Sequence, residues 1–211
     1  MTLSRALLGL AALCVLFAAA PAQAALSEAD QTAIKAADAY LDQIRTLKAH
    51  FIQDAPNGSE SEGTLYLDRP GKLRLEYDPP SPILMVADGD SLVYYDKKLQ
   101  EVTYVDLDST LAGLLVRPHV ALDGPDLEVL GITHQPDTLR INVTRRKDPS
   151  QGRIALIFTL KPMALRQWQV VDAQGAVTTV TLYNTEIGLP LDKNLFVFHD
   201  PRPAPGTHPN R

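Results

Sequence analysis

The residues with the widest chemical reach in this chain of 211 are its five histidines, His50, His119, His134, His199 and His208. No pair has the H-x-x-x-H or H-E-x-x-H spacing that brings two imidazoles onto one helix face for a metal. None of Ser61, Ser81, Ser91, Ser109 and Ser150 sits in G-x-S-x-G, so a nucleophile elbow is missing as well. Asp88 and Asp96 bracket a hairpin, where turn chemistry explains carboxylates better than paired acid–base work. Asn142-Val143-Thr144 has the form of a glycosylation sequon but reads as strand, and Arg145-Arg146-Lys147 reads as a solvated basic cluster at a turn. These residue types predict no catalytic group, no metal and no cofactor. What remains is Arg69, in Arg69-Pro70-Gly71-Lys72 between two alternating apolar runs, Gly63 to Asp68 and Leu73 to Asp78. On the residues alone, an arginine beside a Pro-Gly turn is a solvated charge on a sheet rim.

The N-terminus says where that sheet resides. Arg5, the apolar run Ala6 to Ala20 and the cleavage site Ala22-Gln23-Ala24 predict a signal peptide over 1–24. The run is short for a membrane span of about 20 residues, and it ends in Pro21 and small residues. Cys14 is preceded by Leu13 and not by the small residue that lipid attachment needs, so it is expected to leave with the signal. The mature chain then has no thiol, which excludes disulfides, thiolate metal sites and a cysteine nucleophile. A net charge of −5 with both signs interspersed disfavours nucleic acid as a partner. No repeat divides 25–200, which is read as one domain, and the proline-rich tail 201–211 is expected to be disordered.

Elements must hold Arg69 in place, and the first is a helix. Ser27-Glu28-Ala29-Asp30 has capping-box spacing with Asp for the preferred Glu, and Ile34, Ala37, Leu41 and Ile44 recur at helical spacing. After Leu47 the rhythm becomes period two. Strands are expected at Thr64–Leu67, Leu73–Tyr77, Ile83–Val86, Leu92–Tyr95 and Val102–Val105, then at Leu127–Ile132, Leu139–Thr144, Ile154–Leu160, Leu165–Val171 and Val177–Tyr183. Turn residues between them make sequential antiparallel hairpins, and so many strands in one domain mean a strongly curled sheet or barrel. Between the series, Asp108 or Ser109 can cap a short helix over Thr110–Val116 with Leu111, Leu114 and Leu115 on one face, stopped by Pro118.

Period two puts Leu65 with Leu67 on one face, Leu73 with Leu75 and Tyr77, Ile83 with Met85, and Leu92 with Tyr94. Met85 adds an adaptable side chain. Two readings stand side by side: these residues fill the barrel interior, as in any small barrel, or they line a cavity.

From Leu47-Lys48-Ala49-His50-Phe51-Ile52-Gln53 through Gly63-Thr64-Leu65-Tyr66-Leu67, Arg69-Pro70, Ser81-Pro82-Ile83-Leu84-Met85-Val86-Ala87-Asp88-Gly89 and Leu92-Val93-Tyr94-Tyr95-Asp96 to Leu99-Gln100, the chain resembles the LolA family of periplasmic outer-membrane lipoprotein carriers. The resemblance implies an unclosed, mainly β half-barrel of ten to eleven antiparallel strands, with a helical lid over an apolar cavity. It implies a monomeric, non-enzymatic carrier in the periplasm. Its partners would be acylated lipoproteins, an inner-membrane ATP-driven releasing complex, and an outer-membrane receptor or that membrane itself.

Carried over residue by residue, Arg69 becomes the lid latch, donating to lid-helix carbonyls. Leu65, Leu67, Leu73, Leu75, Tyr77, Ile83, Met85, Leu92 and Tyr94 become the acyl-chain cavity, and Leu111, Leu114 and Leu115 the lid. Leu73 stands where the family usually has an aromatic residue that affects transfer. Two other readings share this fold: a sensor of lipid or lipoprotein that regulates a membrane signalling partner, and a carrier of another lipid.

Overall fold

The computed structural model describes residues 26–107, 110 and 112–202. The expected signal peptide, the tail from 203, and Asp108, Ser109 and Leu111 lie outside the described residues. Helix α1 spans Glu28–Gln43, and its capping box forms with Asp30 in the Glu position. The Asp30 N–H donates to Ser27 Oγ at 3.1 Å, and the Ser27 N–H donates to the Asp30 carboxylate at 3.3 Å. Ile34, Ala37 and Leu41 are buried as the helical spacing predicts.

The helical pattern runs on to Ile44 and delays the first expected strand to Thr64, and the structure corrects this. The chain leaves α1 at Ile44 and enters strand β1, Thr46–Asp54. Leu47, Ala49 and Phe51 alternate into the core there, and β1 bonds to a strand on each side, which satisfies its backbone far better than a longer helix would.

Strands β2 (Glu60–Asp68), β3 (Lys72–Tyr77), β4 (Ile83–Asp88), β5 (Ser91–Asp96) and β6 (Glu101–Asp106) follow as one meander. A short helix α2, Ala112–Val116, comes next. A second meander comprises β7 (Leu127–His134), β8 (Thr138–Arg145), β9 (Gly152–Leu160), β10 (Met163–Asp172) and β11 (Val177–Ile187). β1 pairs with β11, so the meanders fuse into an 11-stranded antiparallel sheet ordered β6-β5-β4-β3-β2-β1-β11-β10-β9-β8-β7. β6 and β7 do not pair, which leaves a curled, unclosed half-barrel with α1 and α2 on its concave side.

The concave face carries one continuous apolar cluster that takes in α1, α2 and both meanders. The convex face is not uniformly polar. Leu84, Val86, Val93 and Val102 are buried on it, and the turn Lys193–Phe196 lies against β3 and β4. Arg74 Nη1 donates to the Leu195 carbonyl at 3.2 Å, and Phe198 meets Tyr95 edge-on at 5.5 Å. This strap was not expected from the sequence.

One glycine shapes the concave face. Gly63 lies opposite Phe51 on one side and Tyr77 on the other, and the two rings meet at 4.9 Å in an edge-to-face contact. A Cβ on Gly63 would sit 2.1 Å from the Glu76 carbonyl oxygen. Gly63→Ala is therefore expected to spread β2 from β3 and lower unfolding free energy by about 2–3 kcal/mol, measured by urea denaturation.

Candidate functional site

The register places every cavity candidate on the concave face. Leu65, Leu75, Met85 and Tyr94 form one row across β2 to β5, and Leu67, Leu73, Ala87 and Leu92 form the next. Tyr77 and Ile83 share this face at the ends of their strands. Leu65, Leu67, Leu73, Leu75, Tyr77 and Leu92 are buried, Ile83 and Met85 half-buried, and Tyr94 is 39% exposed near the open β6 edge. Apolar surface thus runs from the deep interior to the mouth. Tyr77 donates its hydroxyl to Gln53 Oε1 at 2.8 Å, and burial pushes that hydroxyl up to about 12.

The two helices fill most of the space this face encloses. Leu114 and Leu115 of α2 are buried in the cluster with Leu41 of α1. The void left among Leu41, Ile44, Leu47, Leu65, Leu67, Arg69, Leu115, Leu165, Trp168 and Leu182 is about 20 Å³. Ligand pockets run from about 300 to 1,000 Å³, so this state is closed and holds room for little more than a water molecule.

Arg69 is 7% exposed, which corrects the reading of a solvated rim charge. Its Nε donates to the Leu115 carbonyl of α2 at 2.7 Å, and its Nη1 to the Leu41 carbonyl in the last turn of α1. Two residues on, the Gly71 N–H donates to the Val116 carbonyl at 2.8 Å, and Gly71 has φ +81, where a side chain would be strained. Leu41 and Leu115 lie in the last turns of α1 and α2, where backbone donors run short and the Ile44 N–H alone reaches the Leu41 carbonyl at 3.2 Å, so one guanidinium joins both helix ends. Burial lowers the Arg69 pKa from its ordinary value, Asp42 opposes that shift, and Arg45 adds to it.

α1 in turn grips the chain after α2. The Val120 N–H donates to Asp42 Oδ1 at 2.9 Å and the Leu122 N–H to Asp38 Oδ1 at 3.0 Å. Burial raises the Asp38 pKa despite the Leu122 bond, and the charges of Asp42 and Asp123 push the same way. A carboxyl that is raised on folding takes up protons more readily folded than unfolded, so its ionised form costs stability above the acid range. Asp38→Asn keeps an acceptor for Leu122 and removes the charge. It is expected to gain about 0.5 kcal/mol at pH 7. The gain should vanish as pH falls below the ordinary aspartate value of 3.8, which melting curves across pH would read.

Among the described residues the histidines do not converge. His50 lies 3.3 Å from Glu62, His119 3.5 Å from Asp42 and His134 2.8 Å from Asp30, each beside a different carboxylate. Among the described residues no group of three or more His, Cys, Asp or Glu could hold a metal. No helix among them is long and apolar enough to cross a membrane.

Known proteins are similar to this chain in sequence and in its open antiparallel sheet. The family model described as outer membrane lipoprotein carrier protein LolA matches residues 42–199. The chain belongs to the LolA family. It is 32% identical over 199 residues to an outer-membrane lipoprotein carrier protein of Azotobacter vinelandii, covering 89% of this chain and 91% of that one. It is 30% identical over 184 residues to a protein of the same description from Methylococcus capsulatus, covering 83% and 87%. A solved structure of a DUF1329 family protein from Desulfovibrio piger shares the fold at TM-score 0.51 and 10% identity, covering 78% of this chain and 95% of that one.

The LolA match spans Arg69, α2 and the whole sheet, whereas most of α1 precedes it. The expected cavity residues all lie in the first meander, and the second contributes its own concave rows. There Leu139, Ile141 and Val143 of β8 and Ile154, Leu156 and Phe158 of β9 are buried at 0–1% exposure. The signal was present in β8, which alternates cleanly as Leu-Arg-Ile-Asn-Val. In β9 it was masked, because Ile154-Ala155-Leu156-Ile157-Phe158 is apolar at every position.

Proposed function

We propose that this protein carries the acyl chains of lipoproteins released from the inner membrane across the periplasm and delivers them to the outer membrane. The observation that carries the reading is the closed state itself. A continuous apolar face is covered by helices, and a buried arginine joins the last turns of both. A filled core has no need of a buried cation at its seam, where desolvation costs several kcal/mol. A cover that must open has such a need, because polar contacts there re-form with water when it lifts.

The energetics fit transient custody. Burying acyl chain contributes about 0.8 kcal/mol per CH₂, on the order of 12 kcal/mol for a chain of 16 carbons. Breaking the Arg69 bonds to open the lid offsets part of that, so cargo is held yet can be given up. Export through a cleaved signal over 1–24, residence in the periplasm, a monomeric state and the absence of an enzymatic activity belong to this proposal. Handover from an ATP-driven inner-membrane complex and onward to an outer-membrane receptor belong to it as well. Family membership and the description shared by the relatives support it.

Titration of the purified protein with a fluorescent fatty acid should give saturable binding that is competed by detergent. Absence of saturable binding by folded protein would mean that the concave face is a fixed core.

A further inference from the structure

The chain crosses the open side of the half-barrel between Leu107 and Asp126, with α2 in the middle of the crossing. Both ends of this crossing are fastened. Leu107 is buried and its N–H donates to the Asp90 carbonyl at 3.2 Å. At the far end Val120 and Leu122 are buried and bonded to Asp42 and Asp38 of α1. Arg146 adds bonds to the Gly124 carbonyl at 3.0 Å and to Asp123 at 3.1 Å, and Arg117 meets Asp126 at 2.9 Å.

Between these anchors, α2 is held at both of its own ends. Its C-terminal end is held by Arg69 and Gly71 from the turn between β2 and β3. Before its N-terminal end lies Thr110, whose hydroxyl accepts the Gly113 N–H at 3.0 Å. Arg145 is the last residue of β8 and lies opposite Leu127, on the concave face with Val143 and Ile141. Its Nη2 donates to the Thr110 carbonyl. Arg145 is half-buried, which corrects the expectation that Arg145-Arg146-Lys147 is a solvated cluster at this position.

We propose that Arg145 is a second latch of the lid. Arg69 holds the C-terminal end of α2 and Arg145 the Thr110 carbonyl just before it, so the moving gate is α2 itself, Ala112–Val116. The stretch 120–124 stays bound to α1 and β8 when the gate lifts. This rests on the carrier reading for its purpose but not for its test. Arg145 acts by positioning α2 and is not assigned a contact with cargo. A guanidinium suits the task because its fixed fork donates to a carbonyl while its stem lies along the apolar rim.

Amide hydrogen exchange reads the latch without any ligand. Arg145→Met keeps the stem and removes the donors, and it should speed exchange at Gly113–Val116 on the order of tenfold, the factor carried by one charge-assisted hydrogen bond. Exchange at Val120 and Leu122 and in the β8 core should stay as in the wild type. Arg145→Lys should restore part of the protection. Combined with Arg69→Leu, the exchange factors should multiply, because each arginine holds a different end of one gate. Affinity for a fluorescent fatty acid should rise by a similar factor in Arg145→Met. Unchanged exchange at 113–116, or faster exchange spread evenly through the sheet, would overturn the latch. Failure of the wild type to bind the fatty acid would count against the carrier reading, while the exchange data would still decide the role of Arg145.

Discussion

Arg69→Leu is expected to accept lipoprotein as well as the wild type or better, and to fail in passing it on. The substitution removes the donors to the Leu41 and Leu115 carbonyls at the seam of α1 and α2. Charge-assisted bonds of this kind contribute about 1.5–3 kcal/mol each, so the closed, empty state loses several kcal/mol while the loaded, open state loses little. The balance tips toward retention by a factor of about 10²–10⁴. A reconstituted transfer assay should show loaded Arg69→Leu that does not discharge, and Arg69→Lys should fall between, since an ammonium lacks the fork that spans two carbonyls. Discharge by Arg69→Leu at the wild-type rate would remove the latch from the account.

The second large effect separates fixed interior from moving cover. Phe158 is fully buried on β9 and meets Tyr40 of α1 edge-on at 6.0 Å, and α1 is further tied to β7 through Asp30 and His134. That half is expected to stay packed in every state. Phe158→Ala should cost about 3–5 kcal/mol by urea denaturation. Leu115 of α2 is buried as well, but it belongs to the cover. Leu115→Ala should cost less than about 2 kcal/mol and should tighten fatty-acid binding, because contacts made only in the closed state are lost. Equal losses for the two variants, with no change in binding, would mean that α2 is part of a fixed core.

Much of this was legible beforehand. Period-two runs gave the strands of both meanders, and turn residues gave their antiparallel order. The concave rows of β2 to β5 followed from alternation, because a one-residue slip would exchange the faces and Arg74 and Glu76 mark the other side. β1 was hidden because Ile44 continues the helical spacing into a strand, and tertiary pairing with β2 and β11 decided the boundary. The convex strap at Lys193–Phe196 was hidden because short apolar segments after the last strand have no period to reveal them. Arg69 and Arg145 look alike in sequence, as arginines beside turns. Their bonds go to carbonyls in α2 and its flank, 46 and 35 residues away, and side chain to backbone contacts at such separation leave no local pattern.

The central claim is that the concave face holds acyl chains in the loaded protein. Photocrosslinking amino acids placed in living cells at Met85, Leu92 and Tyr94 on that face, and at Arg74 and Glu76 on the convex face, test it most directly. Crosslinks to acylated lipoprotein are expected from the first set and none from the second. Capture from Arg74 or Glu76, with nothing from Met85, Leu92 or Tyr94, would contradict it.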